Sequence, residues 1–301
     1  MKIRITVAML AIYLVWGSTY LAIRFAVKTI PPFIMAGTRY LIPGILLIVW
    51  RRLAGDPAPT RKQWIAGAIV GLFLLLGGNG LVSWAEQRVD SGVAALIIGT
   101  APIWMVIFDA VLARRQPRWQ VIVGLLTGFG GILLLIGPGS LFSGQPRYDL
   151  LGLGTLMLAA LLWSIGSIYS RDADLPRSPL LGTGIEMLAG SAGLFIASLV
   201  SGEWKSFNLA AVSQHSLLGL LYLILFGTLV GFVAYTWLLR NAPISLVSTY
   251  AYVNPLVAIL LGNWLAQELI DWHIILSAAI IIGSVVLINS FRRKTVGAPA
   301  D

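Results

Sequence analysis

The stretch LVWGSTYLAIR, residues 14–24, has a counterpart in LLWSIGSIYSR, residues 161–171. At a shift of 147 positions, the identical residues are Leu14, Trp16 and Arg24 with Leu161, Trp163 and Arg171. A shift of 153 then matches Gly78, Trp84, Pro102, Trp119 and Gly130 with Gly231, Trp237, Pro255, Trp272 and Gly283. The order of these matches predicts a duplicated chain, with one unit at residues 1–140 and a second at residues 141–301.

The hydropathy pattern points to a membrane protein. Hydrophobic residues make up 58% of the 301 residues and charged residues 11%, about half the charged share of an ordinary soluble domain. Apolar blocks lie at residues 3–23, 32–50, 64–84, 91–113, 119–137, 149–169, 179–200, 215–239, 244–266 and 271–291. Each has about 20 residues, enough for a helix to cross a bilayer core of about 30 Å. We therefore predict an all-α membrane protein with ten transmembrane helices.

The duplication constrains how these helices are arranged. Each unit contains five predicted helices, and because five is odd, the second unit must enter the membrane from the side opposite to the first. The predicted fold is a 5+5 inverted-topology repeat around a central cavity. Secondary transporters are commonly built from inverted repeats, with the substrate site near the bilayer midplane where the repeats meet.

The placement of the basic residues explains the net charge of +9. Fifteen Lys and Arg residues lie at the two ends of the chain and in alternate loops, and five lie in the loops between. This bias is the positive-inside pattern, and it predicts that both termini are cytoplasmic. We therefore expect the lipid bilayer, and no nucleic acid, as the partner of this basic chain.

The chain has few residues that could bind a metal or take part in redox chemistry. It has no Cys and two His residues, His215 and His273. Thiol chemistry does not arise, and a metal site would have few ligands to draw on. We expect no metal and no cofactor.

An arginine interrupts the second apolar block, in GTRYLIPG at residues 37–44. Arg39 stays charged whatever its surroundings, and its counterpart at the 147 shift is Glu186 in GTGIEMLAG. Each follows a Pro at the start of its helix by seven residues, or about 10 Å of helix. Intramembrane charges usually face the bundle interior and mark functional sites. We expect Arg39 and Glu186 to share one cavity, directly or through water. They would bind substrate there or pair structurally, and Glu186 is the predicted site of proton coupling.

Aromatic residues near the predicted midplane are further cavity candidates. Trp16 and Trp163 each offer a stacking face and one N–H donor, which suits a substrate with a ring or a cation. Thr19 lies on the same helical stripe as Trp16. Ordinary helix packing is the alternative for all three residues.

Matched prolines predict helix discontinuities. Pro102 and Pro255 each remove a backbone hydrogen bond and free a carbonyl group. Discontinuities at corresponding positions of the two halves are typical of transporter binding sites. Asn79, Tyr252 and Asn254 are predicted to line the same cavity, since their polar groups can hydrogen bond within the membrane. The alternative for the two Asn residues is that they hold helices together.

Two further features of the sequence carry weaker predictions. Glu86 and Glu268 fall at outer helix ends, where solvation costs little, so we assign them no place in the site, although either is a conceivable gate. Gly124 and Gly128 form the small-xxx-small pattern of close helix contacts. That pattern would serve a homodimer or packing within a monomer.

Several motifs, taken in order, resemble those of one transporter family. They are WGSTYLAIR in helix 1, MAGTRYLIPG in helix 2, GTAPIW in helix 4, YAYVNPLVAILLG in helix 9 and the Glu268 that follows. Across essentially the whole chain, the sequence resembles the EamA family of the drug/metabolite transporter superfamily. One departure is that helix 4 ends in Arg114 and Arg115, where helix 9 is followed by Gln267 and Glu268.

The resemblance implies a multi-pass protein of the bacterial inner membrane. Helices 1–4 and 6–9 would surround the cavity, with helices 5 and 10 at the periphery. The resemblance also implies a secondary transporter that works by alternating access and exports amino acids or related small metabolites. Some members of the family are proton-coupled.

Two other functions remain as alternatives. An exporter of drugs or other cationic compounds would use the same fold and the same aromatic residues. An intramembrane transferase would usually need clustered carboxylates for Mg²⁺ bound to a diphosphate, and no matched pair of carboxylates occurs in the sequence. We therefore predict that the protein is not an enzyme.

Overall fold

The computed structural model describes residues 2–112, 114, 119–136, 148–242, 244–247 and 249–296. Every regular element within these ranges is a helix, so the all-helical prediction is confirmed for them. Arg115 and the predicted unit boundary between residues 140 and 141 lie outside the described residues.

The helices are named here in chain order. They are α1 (Lys2–Ala26), α2 (Pro32–Leu53), α3 (Arg61–Ala85), α4 (Ser91–Ile98 and Ala101–Leu112), α5 (Trp119–Ile136), α6 (Leu150–Asp172), α7 (Pro179–Val200), α8 (Gln214–Tyr222, Leu223–Val230 and Gly231–Asn241), α9 (Ile244–Val247 and Tyr250–Ala266) and α10 (Trp272–Val296). Short helical turns at Glu203–Ser206 and Leu209–Ala211 connect α7 to α8.

The helices have the length and composition of membrane spans. In the described ranges, seven helical stretches are long and apolar enough to cross a bilayer, in α1, α2, α3, α4, α6, α7 and α8. Three shorter apolar helices, Ile122–Leu135, Tyr250–Ala266 and Trp272–Leu287, lie in α5, α9 and α10. The chain is therefore a multi-pass helical membrane protein, and its division into two inverted units stays a prediction.

Among the described residues, two helices contain π-helical segments, Leu72–Gly80 in α3 and Leu223–Val230 in α8. In a π-helix each N–H bonds to a carbonyl group five residues back, an uncommon arrangement that occurs often at functional sites. The sequence LFLLLGGNG accounts for part of this irregularity, because glycine weakens the α-helix. At the 153 shift the two segments overlap, so corresponding parts of the two halves carry the same irregularity.

Local sequence signals set the helix starts. Pro32 and Pro179 occupy the first turns of α2 and α7, where the missing N–H costs no helical bond. The carboxylate of Glu203 accepts the backbone N–H groups of Phe33 at 3.2 Å and Ile34 at 3.0 Å. The loop after α7 therefore caps the start of α2.

The most extensive helix contact joins α2 to α7. A Cβ atom on Gly184 would lie 2.7 Å from Cγ1 of Ile48 and 3.3 Å from the carbonyl oxygen of Gly44. Only glycine allows the two backbones to approach this closely. The helices that carry Arg39 and Glu186 are thus packed directly on each other.

Helices α5 and α10 also pack extensively on each other. A Cβ atom on Gly128 would lie 2.5 Å from Ile103 and 2.8 Å from Oγ of Ser284. Gly128, predicted to serve either a dimer or internal packing, therefore packs against α4 and α10 of its own chain.

Packing of α1 and α6 is reciprocal between the two halves. Helix α1 packs on α8 and α9, and α6 packs on α3 and α4. Since α6 corresponds to α1, and α3 and α4 correspond to α8 and α9, each of these two helices packs on the other half of the chain. Their contact surfaces are where the site residues lie.

Candidate functional site

Trp16 lies at the contact between α1 and α8. Its Nε1–H donates to the backbone carbonyl of Gly227 at 3.2 Å. Its ring packs against three aromatic rings, with centroid distances of 5.7 Å to Phe232, 5.1 Å to Tyr235 and 5.0 Å to Tyr250. The indole therefore contacts both the π-helical segment of α8 and a group of aromatic rings. We call Trp16, Phe232, Tyr235 and Tyr250 the Trp16 cluster.

Arg39 lies deep in the bundle, with 4% of its surface exposed. Its Nε–H donates to Oγ1 of Thr228 at 3.3 Å, and its guanidinium carbon lies 5.0 Å from the centre of the Tyr40 ring. Within the described part of the chain, Nη1 of Arg39 has no hydrogen-bond partner. A buried guanidinium therefore retains donor capacity at the contact between α2 and α8.

Thr19 completes this part of the site. Its hydroxyl donates to the carbonyl of Trp16 at 2.6 Å. A Cβ atom on Gly227 would lie 3.0 Å from the methyl group of Thr19 and 3.4 Å from Nη2 of Arg39. The bare backbone at Gly227 is thus where Trp16, Thr19 and Arg39 meet. Three residues predicted from the sequence are brought together, and Thr228 joins them.

Sequence reasoning did not select Thr228. The sequence signal that could have selected it is a hydroxyl-bearing residue inside the apolar run LILFGTLV. The structure shows that the Thr228 side chain is fully buried. Its position next to Gly227, inside a π-helical segment, could not be read from hydropathy.

A Trp–Gly contact occurs in both halves. A Cβ atom on Gly231 would lie 2.3 Å from Nε1 of Trp16, and one on Gly78 would lie 2.8 Å from Cε3 of Trp163. Trp163 corresponds to Trp16 at the 147 shift, and Gly231 corresponds to Gly78 at the 153 shift. Each indole therefore packs on the backbone of the π-containing helix of the other half.

Asn79 belongs to the π-helical segment of α3 itself. Its Nδ2 donates to the carbonyl of Leu74 at 3.4 Å. This contact lies within α3 and supports the irregular backbone of the segment.

Pro102 follows an interruption of α4, whereas Pro255 lies inside the continuous helix Tyr250–Ala266 of α9. Gly99 and Thr100 interrupt α4 just before Pro102, and a Cβ atom on Gly99 would lie 3.2 Å from Cγ of Pro255. Asn254 is 7% exposed, and among the described residues its Oδ1 has no hydrogen-bond partner. The interruption of α4 thus lies against Pro255 of α9, next to Asn254 and its amide oxygen.

Tyr252 packs against the small cluster of Ile103 and Val285, which belong to α4 and α10. The α9 residue whose ring packs on Trp16 is Tyr250.

Glu186 is also separate from Arg39. In the part of the chain that the structure covers, no ion pair joins these two residues. The backbone of Glu186 lies against α3, since a Cβ atom on Gly71 would lie 2.1 Å from its carbonyl oxygen. The expected direct contact of the two charges is not present in this arrangement.

A second group of charges lies where α1 ends. Nε of Arg24 pairs with Oε1 of Glu268 at 3.2 Å, and its Nη2 pairs with Oδ1 of Asp90 at 2.7 Å. Its Nη1 donates to the carbonyl of Val89 at 3.1 Å. Arg24 therefore ties α1 to the start of α4 and to the turn after α9. We call Arg24, Glu86, Asp90, Ser91 and Glu268 the Arg24 cluster.

Glu268 is the anchor of this cluster and is only 7% exposed. Its Oε1 accepts the backbone N–H of Ser91 at 2.9 Å and the Ser91 hydroxyl at 2.7 Å, and its Oε2 accepts the N–H of Gly92 at 3.1 Å. A carboxylate at a helix N-terminus is stabilised by these free N–H groups and by the helix dipole. Glu268 thus caps α4 from the other half.

The position of Glu268 differs from the solvated helix end expected from the sequence. Gln267 adopts a left-handed conformation, with φ of 54°, and turns the chain back at the end of α9. The N–H of Glu268 then donates to the carbonyl of Gly262 at 3.1 Å, and a Cβ atom on Gly262 would lie 2.3 Å from Oε2 of Glu268. This reversal buries a side chain that hydropathy places at the surface.

Glu86 also differs from its expected place in solvent. It follows the span Arg61–Ala85 and is 2% exposed. Across the described residues, neither of its carboxyl oxygens has a hydrogen-bond partner. Burial raises the pKa of Glu86 well above its ordinary range, and the negative charge of Glu268 acts in the same direction.

A small cavity of about 10 Å³ adjoins the Arg24 cluster, roughly the volume that one water molecule needs. It is lined by Asp90, Gly92, Val93, Ile259, Glu268, Leu269, Ile270 and Ile274. No group of three His, Cys, Asp or Glu side chains suited to a metal ion occurs in the described ranges.

Comparisons with known proteins agree with this architecture. The model of the EamA-like transporter family matches residues 4–137 and 150–290. The chain is 39% identical over 302 residues to the uncharacterized inner membrane transporter YedA of Escherichia coli (strain K12), covering 97% of this chain and 94% of that protein. It is 24% identical to the uncharacterized transporter YoaV of Bacillus subtilis (strain 168), covering 97% and 99%.

A solved crystal structure has the same fold. It superposes with a TM-score of 0.64 at 19% sequence identity, over 98% of this chain and 100% of that chain.

Proposed function

Because the chain belongs to the EamA-like transporter family, we propose that it exports amino acids or related small metabolites across the inner membrane by alternating access. It is a multi-pass membrane transporter, and the substrate class and mechanism are the proposed part. The observation that carries the proposal is the guanidinium of Arg39, which is 4% exposed and has a free Nη1 beside the π-helical segment of α8.

The substrate class follows from what this guanidinium can bind. A carboxylate accepts two parallel hydrogen bonds from Arg, with strength and directional specificity that a neutral acceptor lacks. In the arrangement described, one donor of Arg39 is bonded to Thr228 and another is free. An amino acid would place its carboxylate there and its side chain against the Trp16 cluster.

The proposed transport cycle uses the inverted 5+5 repeat, with units at residues 1–140 and 141–301. Three observations support this arrangement: the reciprocal packing of α1 and α6, the overlapping π-helical segments, and the two stretches that the family model matches. With both termini in the cytoplasm, as the positive-inside pattern predicts, the Arg24 cluster would lie at the outer end of the cavity.

Flux measurements in proteoliposomes test the proposal. Purified protein is reconstituted, and the uptake of single radiolabelled amino acids is compared with the uptake of cationic dyes. We expect saturable flux of at least one amino acid, lost in Arg39→Met. Flux of dyes without flux of any amino acid would contradict this substrate class.

Export of cationic compounds is a second candidate function. The observation in its favour is the Trp16 cluster, in which three aromatic rings pack on Trp16, since aromatic faces attract cations. If this function is correct, dye flux should persist in Arg39→Met and fall in Trp16→Leu.

Proton coupling at Glu186 is a separate proposal. It rests on the position of this carboxylate within a membrane-spanning segment of the sequence. Glu186 lies on α7 against α3. We expect Glu186→Gln to abolish flux driven by a pH gradient while leaving counterflow exchange intact, whereas equal loss of both modes would indicate a structural or binding role.

A further inference from the structure

Glu86 is a carboxyl group that the packing isolates. It is 2% exposed, and its chain neighbours Ala85 and Val89 are 0% and 2% exposed in the main hydrophobic core. In the residues that the structure describes, neither of its oxygens accepts a hydrogen bond. The backbone of Arg24 has the smallest influence on the pKa of Glu86, and it favours the charged form.

The ionisable groups that face Glu86 come from three parts of the bundle. They are Tyr20 and Arg24 on α1, Arg39 on α2, and Glu268 after α9. Arg24 is committed to Asp90, Glu268 and the Val89 carbonyl. Arg39 bonds to Thr228, and for the described residues no ion pair links either arginine to Glu86.

The surrounding charges balance without Glu86. Arg24 and Arg39 carry two positive charges, and Asp90 and Glu268 carry two negative ones. A third carboxylate would add an unpaired negative charge in a buried place, where an unsolvated and unpaired anion is strongly disfavoured. A neutral carboxylic acid avoids that cost.

We propose that Glu86 is a proton-binding site whose proton is released when the Arg24 cluster opens. In the closed arrangement the carboxyl group carries the proton. When α1 separates from α4 and from the turn after α9, water enters, the O–H bond of Glu86 breaks, and the proton passes to that water. The guanidinium of Arg24, freed from Asp90 and Glu268, then neutralises the carboxylate.

This inference rests on the proposed transport function only for its coupling step. The proton itself is detected without any substrate. Infrared spectra of the purified full chain in lipid nanodiscs report a protonated carboxyl group by its C=O stretching band. We expect a band at neutral pH that is absent in Glu86→Gln, shifted in Glu86→Asp and unchanged in Glu203→Gln, the matched control at a half-buried carboxylate. An unchanged band in Glu86→Gln would overturn the proposal.

The pH dependence of stability gives a second test with the same variants. The folded chain keeps the proton of Glu86, whereas in the unfolded chain Glu titrates near its ordinary pKa of about 4.3. As the pH rises above that value, the folded state binds more protons than the unfolded state, and stability falls. The melting temperature of the wild type should therefore drop more steeply towards alkaline pH than that of Glu86→Gln. Equal slopes would count against the proposal.

Gln is the neutral isostere of the protonated side chain, so Glu86→Gln should fold. Failure of this variant to fold, beside a folded Glu203→Gln, would show that the charge is required and would also overturn the proposal.

The coupling step is tested with an amino acid that the proteoliposome screen finds to be transported. A pH gradient should accelerate its flux in the wild type and not in Glu86→Gln, while counterflow continues in both. An unchanged response to the gradient in Glu86→Gln would overturn coupling at this residue. If no amino acid or dye is transported, the proposed function fails, and the infrared band still decides the proton site.

Discussion

Nε of Arg24 and Oε1 of Glu268 lie 3.2 Å apart, and this ion pair joins the end of α1 to the turn after α9. Since Glu268 also caps α4, one carboxylate holds three helices together. Glu268→Gln would remove this ion pair and the charged cap of α4, while Arg24 would keep its pair with Asp90. We expect Glu268→Gln to loosen this end of the bundle.

The natural absence of cysteine makes that loosening measurable. Val93 lines the small cavity and is 1% exposed, so Val93→Cys should react slowly with a water-soluble maleimide. Combining it with Glu268→Gln should speed labelling at least several-fold. Leu209→Cys, at a residue 76% exposed, should label equally fast with and without Glu268→Gln. Unchanged labelling of Val93→Cys would show that the ion pair does not close this end.

Arg39→Lys tests whether the planar guanidinium matters beyond its charge. Lys keeps the positive charge and loses the fork that binds a carboxylate at two points. We expect amino-acid flux to fall at least tenfold, mainly through weaker substrate binding. Arg51→Lys serves as the control, because Arg51 pairs with Asp56 away from the site. Equal flux in Arg39→Lys and wild type would remove Arg39 from substrate binding.

Close packing of α3 on α7 can be tested at one glycine. A Cβ atom on Gly71 would lie 2.1 Å from the carbonyl oxygen of Glu186, and the backbone must move to admit it. We expect Gly71→Ala to destabilise the chain by about 1–3 kcal/mol or more, as overpacking does. In Gly154→Ala, where the described residues leave the added Cβ in open space, stability should change by less than about 1 kcal/mol. Thermal unfolding in detergent compares the two.

Asp56 provides a test of acid sensitivity outside the membrane spans. A hydrogen bond from Arg51, and a weaker effect from Ser178 before α7, lower the pKa of Asp56 to about 2. A depressed pKa adds stability that is complete above the ordinary Asp value of about 3.9 and is lost as the pH falls towards the folded-state value. Asp56→Asn should therefore lower the melting temperature at pH 7.

The same comparison at acid pH supplies the check. Near pH 2 the difference between Asp56→Asn and the wild type should shrink, because the wild-type carboxylate is then becoming protonated. A difference that stays constant across this range would mean that the charge of Asp56 contributes nothing to the link between α2 and α7.

Much of the architecture could be predicted, because a membrane helix must form its backbone hydrogen bonds within itself and must stay apolar for about 20 residues. The predicted block 91–113 corresponds to helical residues Ser91–Leu112. Trp16, Thr19 and Arg39 were each selected from the sequence as site candidates, and the structure places all three at Gly227; their role in a substrate site stays a prediction.

The Arg24 cluster could not be predicted in the same way. The burial of Glu268 depends on the left-handed turn at Gln267 and on the free N–H groups at the start of α4. Glu86 is buried where groups from α1, α2 and the turn after α9 approach the end of α3. Both arise from contacts between segments far apart in the chain, and hydropathy registers only local composition.

The π-helical segments of α3 and α8 have a mechanical consequence. A π-helical turn contains one residue more than the α-helical turns beside it. Such an inserted residue can move along the helix by the exchange of one backbone hydrogen bond at a time, and the helix stays continuous. Each step of one residue turns the side chains it passes by about 100°, since an α-helix has 3.6 residues per turn. Sliding the segment that begins at Leu223 would rotate Thr228 away from Arg39 with α8 still spanning the bilayer. The residue that holds Arg39 thus lies inside the part of α8 where such a shift would act.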